Sequence, residues 1–131
     1  MRMLYPGVRV RRRVRQLLQV FYTKHEAVDF DEALNLLAAF YQVRKPEVCW
    51  WEHINGTGKR STLGETRENG RAGRLNLIHP ADWPRQAPTA KFKATRTSWV
   101  RTLLHEWNHV MHHIDDEKKA DRYAAIFLRG L

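Results

Sequence analysis

Cysteine is nearly missing from this 131-residue chain: Cys49 stands alone, so no disulfide can form within it. Its stability must come from a packed core, and a lone thiol fits the cytoplasm better than a secreted setting. Long apolar runs are missing as well. None approaches a membrane span, and the N-terminus lacks the uninterrupted apolar segment of a signal peptide. An Arg-rich start without acid shares one trait with mitochondrial presequences, but Ser is absent there and the segment reads as a packed helix. Internal repeats and low-complexity tracts are also absent. The length supports one modest core, hence a single domain over residues 1–131.

The net charge of +9 is unevenly spread. Residues 2–15 carry Arg2, Arg9, Arg11, Arg12, Arg13 and Arg15 with no acid. Val10, Val14, Leu17, Leu18 and Phe21 recur at helical spacing through that segment, which predicts a basic helix over about 8–22 with most arginines off the apolar stripe. One role for Arg9, Arg11, Arg12, Arg13 and Arg15 is a solvated face whose stems cover apolar surface. The other is a strip for nonspecific contact with nucleic-acid phosphates.

A second helix is expected to start at Asp29 or Asp31, with Glu32 completing a capping box on Asp29, and to stop at Arg44-Lys45-Pro46. Residues 47–54, 61–66 and 74–79 read as strands separated by the turn signals 55–58 and 68–73. Together they predict a three-stranded antiparallel sheet. Gly56, Gly58 and Gly64 lack Walker spacing and read as hairpin glycines. Residues 80–96, with Pro84 and Pro88, read as a loop at the rim of a cleft. Two further helices then occupy about 98–129, the first capped by Thr97 or Ser98. The expected architecture is α+β: two N-terminal helices, the sheet, a motif helix and a C-terminal helix.

The motif helix carries the chemistry. Residues 105–109 read His-Glu-Trp-Asn-His, an HExxH string. Seven His and eight Glu would produce that string in about 2% of shuffled chains, so its surroundings must decide. Val100, Leu103, Leu104, Trp107, Val110, Met111 and Ile114 follow helical steps, and His105, Glu106 and His109 border that stripe. On a helix the two imidazoles share one face and can share one Zn2+, while Glu106 is placed to act as base toward an attacking water.

A catalytic zinc usually takes three protein ligands and keeps one position open. His112 and His113 lie ~10–12 Å beyond His105 on a straight helix. Asp115 follows His112 where some zinc peptidases bend at glycine. Glu117 opens the run 115–124, which looks like a new helix with Asp115 as N-cap. A turn near residues 113–115 would fold that helix back along a thin Ala120, Ala124 and Ala125 face and point Glu117 at the metal. Asp121, four residues on, would then accept a hydrogen bond from a ligand imidazole. Glu117 is the preferred third ligand, with Asp115 and His113 as alternatives.

HExxH followed by Glu117-x-x-Ala120-Asp121-x-Tyr123-Ala124 resembles the gluzincin pattern, in particular the ImmA/IrrE-type metallopeptidases and the minigluzincins. The resemblance covers residues 98–128 and implies a compact zincin-like domain with Glu117 as third ligand. SprT-like proteases, some acting on DNA-bound proteins, are a second resemblance, but their third ligand is a later His and none follows His113. Trp107 and Asn108 replace the small residues often found inside the motif. The expected function is a zinc-dependent metalloendopeptidase for an intracellular protein or peptide, with Glu106 as general base and Tyr123 or His112 as candidate oxyanion donors. The short chain fits a regulatory or phage-associated protease by analogy. The other readings are a basic nucleic-acid-binding module and a zinc-stabilised pseudoenzyme.

Overall fold

The computed structural model describes residues 3–52, 73–86 and 93–131. In chain order it contains α1 (Val8–Lys24), α2 (Ala27–Tyr41), β1 (Glu47–Trp51), β2 (Arg74–Ile78), a 3-10 turn at Trp83–Arg85, α3 (Arg96–Met111) and α4 (Glu117–Leu128). The class is α+β: among the described residues there are four helices and a two-stranded sheet, whose β2 packs on α3. None of these helices is long and apolar enough to cross a membrane.

The helical stripe in the basic segment does form a helix, and Val14, Leu17, Leu18 and Phe21 are its buried face. It packs against α2, which buries Phe30, Ala33, Leu34, Leu37 and Ala38. The link between them is short because His25 adopts the left-handed conformation (φ 61°), and its N–H closes on the Phe21 carbonyl at 2.7 Å. The Asp29 capping box is not formed. Helix α2 begins two residues earlier, with Glu26 at the N-cap and Asp29 in the first turn, where a carboxylate still favours the positive end of the helix dipole.

The expected antiparallel meander is corrected. Among the described residues the sheet has two strands, and β1 and β2 run parallel with Glu47 opposite Arg74 and Trp51 opposite Ile78. The 61–66 strand and the 55–58 turn lie outside the described residues. A tight hairpin cannot join parallel strands, which need a connection of about a dozen residues or more. The intervening stretch, 52–73, has that length. Local turn signals do not report which strand edges finally meet.

Strand β2 lies along α3 in the opposite direction. Gly73, just before β2, sits against Val110, and Trp99 Nε1–H donates to the Ile78 carbonyl at 2.9 Å. Eleven helical residues rise ~16 Å and five strand residues ~16 Å, so the two contacts are in register at both ends. Gly73 allows this approach. A Cβ there would stand 2.0 Å from Val110 Cγ1. Leu75 and Leu77 then join Leu103, Trp99 and Val14 in the core.

Gly73→Ala should therefore destabilise the protein by about 1–3 kcal/mol in urea denaturation, the usual range for overpacking. Trimming the opposing side chain should relieve the clash, so Gly73→Ala with Val110→Ala should lose less than the sum of the single changes. A double variant as unstable as that sum would contradict the packing described.

Candidate metal centre

Helix α3 starts at Arg96, two residues before the expected boundary. Thr95 is its N-cap: its Oγ1 accepts from Ser98 N–H at 3.2 Å, and Ser98 Oγ accepts from Thr95 N–H at 2.9 Å. From that start the helix presents Arg101, His105 and His109 one turn apart on one face. It ends at Met111, and His113 turns the chain in the left-handed conformation (φ 55°). Asp116, not Asp115, caps α4, its Oδ1 accepting from Lys119 N–H at 3.0 Å. That hydrogen bond holds the Asp116 carboxyl below the usual carboxylate range.

The reversal delivers Glu117, the first residue of α4, to the two imidazoles. Glu117 Oε1 lies 2.9 Å from His105 Nε2, and Oε2 lies 3.2 Å from His109 Nε2. The two Nε2 atoms are 3.0 Å apart. Ligands around a tetrahedral zinc with bonds of about 2.0–2.1 Å are separated by about 3.3–3.4 Å. The observed separations, which reach the two different oxygens of Glu117, fall about 0.1–0.5 Å short of that spacing, and with one ligand atom per residue all three lie within 4.8 Å of one another. His105, His109 and Glu117 are also the one group among the described residues suited to hold a metal ion. Asp115 and His113 are exposed residues of the reversal and lie outside it.

The protons argue in the same direction. His109 Nδ1 is 2.5 Å from the Ile114 carbonyl, which can only accept, so Nδ1 carries the hydrogen and Nε2 its lone pair. His105 Nδ1 faces Asp121 Oδ1 at 3.7 Å, beyond hydrogen-bond distance, while its Nε2 lies 2.9 Å from the accepting Glu117 Oε1, so these contacts fix the tautomer of His109 alone. With the His105 proton on Nδ1 as well, two lone pairs and a carboxylate would face one point. A cation there would offset their repulsion, and two nitrogens with one oxygen are a donor set that zinc accepts. The side chains of His105 and His109 are 16% and 11% exposed and that of Glu117 is 44% exposed, so the group opens toward solvent on the Glu117 side.

No family model, curated protein or solved structure matches the chain.

Glu106 stands between the two imidazoles in sequence and is 1% exposed. Asp121 lies beside His105, but its main partner is Arg101, whose Nε and Nη2 donate to Oδ1 and Oδ2 at 3.0 and 2.5 Å. These bonds, with the Arg101 charge, hold the Asp121 carboxyl below its usual range. Arg101 went unnoticed in the sequence, although its place four residues before His105 on the same face was a usable signal.

Two expected oxyanion donors are turned elsewhere. Tyr123 stands about 200° round α4 from Asp121, and its ring packs edge-on against Tyr5 at 6.5 Å. His112 Nε2 accepts from Trp107 Nε1–H at 3.1 Å, and its ring packs edge-on against Tyr41 at 4.4 Å. The correction has a simple cause: α3 stops at Met111, so His112 swings toward α2 rather than continuing the ligand face.

The N-terminal arginines also divide. Arg11 is committed internally, donating from Nε to the Pro6 carbonyl at 2.9 Å and from Nη1 to the Phe127 and Arg129 carbonyls at 2.8 and 3.2 Å. It thereby caps the C-terminal end of α4, where a cation also suits the dipole. Arg13 reaches Glu32 at 3.3 Å across the α1–α2 seam. Arg15 is half-buried, while Arg9 and Arg12 are exposed. Of the five, Arg11 is thus bonded within the fold, while Arg9 and Arg12 keep exposed side chains.

Burial pushes the His112 imidazole down to about 4, with His113 adding to the effect. In the unfolded chain it titrates near 6.5. The stabilisation from neutral His112 is therefore complete above about pH 6.5 and is lost progressively as pH falls toward 4. Urea midpoints of metal-free protein should drop across that window, and less steeply in His112→Asn. Parallel curves for the two proteins would show that His112 is not the group responsible.

Proposed function

We propose that this protein is a zinc-dependent peptidase with its ion held by His105, His109 and Glu117. The convergence of two imidazole Nε2 atoms and a carboxylate within 2.9–3.2 Å of one another carries the reading. Zinc in such a site supplies Lewis acidity, acidifying an attacking water and neutralising charge on the carbonyl oxygen of the scissile amide. Everything else falls to the chain. Glu106 accepts the proton of the attacking water and returns it to the leaving amine. The Ile114 carbonyl fixes the His109 ring, and Asp121, 3.7 Å from His105 Nδ1, would accept a hydrogen bond from that nitrogen once the gap closes. The resemblance to gluzincins supplies the substrate class, a peptide bond in a protein, and the zincin-like fold is proposed on the same ground.

A zinc-holding protein that does not cleave is the competing reading, and the same preparation separates the two. Purified protein should contain about one zinc per chain and lose cleavage on chelation. Glu106→Gln should keep the zinc and lose cleavage by at least about a hundredfold, the lower range for removing a general base. Undiminished cleavage by that variant would refute the mechanism. Glu117→Ala should fail to retain zinc while Asp115→Ala retains it. The opposite result would move the third ligand into the reversal.

A further inference from the structure

We infer that Arg101 is a positioning residue that aims the Asp121 carboxylate at His105, an inference that rests on the zinc-site reading above. Arg101 and His105 share a helix face four residues apart, and α4 brings Asp121 between them. The guanidinium makes a two-point fork, Nε to Oδ1 at 3.0 Å and Nη2 to Oδ2 at 2.5 Å. Oδ1, the oxygen held by Nε, is also the one that faces His105 Nδ1 at 3.7 Å. That separation is too long for a hydrogen bond, and closing it needs a shift of about 0.8 Å.

The fork has little reason to exist as a structural brace. The Arg101 and Asp121 side chains are 44% and 47% exposed, and pairs that open to solvent contribute little to stability. What it does is remove choice. An Asp side chain so exposed would otherwise turn among several rotamers, most of them facing water. Held at both oxygens, it keeps one edge toward the imidazole, and once that edge closes on Nδ1 it would leave Nε2 free for the metal. Lysine would supply the charge without the fork, since it presents a single point of attachment.

Zinc affinity of the full chain, measured by competition with a chromogenic chelator, tests this apart from any cleavage assay. Arg101→Ala should weaken zinc about tenfold, the lower range for losing support behind a ligand, with the melting temperature of the metal-free protein unchanged. Arg101→Lys should recover only a minor part of that loss. In an Asp121→Ala background, Arg101→Ala should cause no further loss, because its effect passes through Asp121. Equal affinity in wild type and Arg101→Ala, full rescue by lysine, or losses that add in the double variant each overturn the inference. A wild-type protein that binds no zinc removes the site reading itself, and the inference with it.

Discussion

The Asn108 amide lies between α3 and α4, buried, with its Nδ2 donating to the Ala120 carbonyl at 3.0 Å. The same residue's carbonyl accepts from the N–H groups of His112 and Ile114, at 3.2 and 3.3 Å, as the chain leaves α3. One residue therefore ends the motif helix, shapes the reversal and pins the returning helix. Each ligand depends on it. His105 and His109 flank Asn108 on α3, Ile114 is turned so that its carbonyl orients His109, and Ala120 sits one turn after Glu117. A buried amide left without its acceptor would be expensive, so the helix spacing that satisfies Asn108 is strongly preferred. Ala120 and Ala124, both fully buried, make that spacing sterically available.

The parts of this arrangement that were legible in the sequence share a cause. Helical periodicity, the pair of His four residues apart and the Glu117-to-Ala124 run are local patterns whose meaning survives in any fold that makes the helix. The α1 and α3 stripes appear in the structure as buried faces for this reason. Strand pairing is not local. Residues 47–51 and 74–78 were readable as strands, yet whether they meet antiparallel or parallel is decided by the packing of β2 along α3, which no turn signal encodes. The stops of α1 and α2 carried no glycine signal, because His25 and Gln42 take the left-handed conformation that glycine usually supplies, whereas the reversal at His113 fell where the sequence placed it. Asn108 was visible as a departure from the small residues common in the motif, but its partner lies twelve residues on and only the fold pairs them.

Polar groups in this protein are recruited to hold helices at fixed distances, and that explains why several candidate functional residues have other duties. His112 takes the Trp107 indole N–H and fills the gap against Tyr41, joining α3 to α2. Trp83 donates from its indole to the Thr95 carbonyl at 2.9 Å, fastening the segment before α3 to its N-cap. These contacts lie off the ligand face, so the framework can be rigid while the three ligands stay open on one side. A reactive group must remain accessible, whereas a bracing group must be enclosed. The HExxH spacing sets His105 and His109 apart from His112 in the sequence, but only the fold shows that His112 braces α3 against α2.

The hydrogen bonds from Arg11 to Phe127 and Arg129 join residues 116 and 118 positions apart. During synthesis, the cap for α4 is made long before α4 itself. A nascent chain that has completed α1, α2 and α3 already carries the His105 and His109 pair but has no carboxylate to set against it. The same helix that seats its far end under Arg11 carries Glu117 to the imidazoles. Translation thus supplies the α1–α3 scaffold before the carboxylate of the proposed metal cluster.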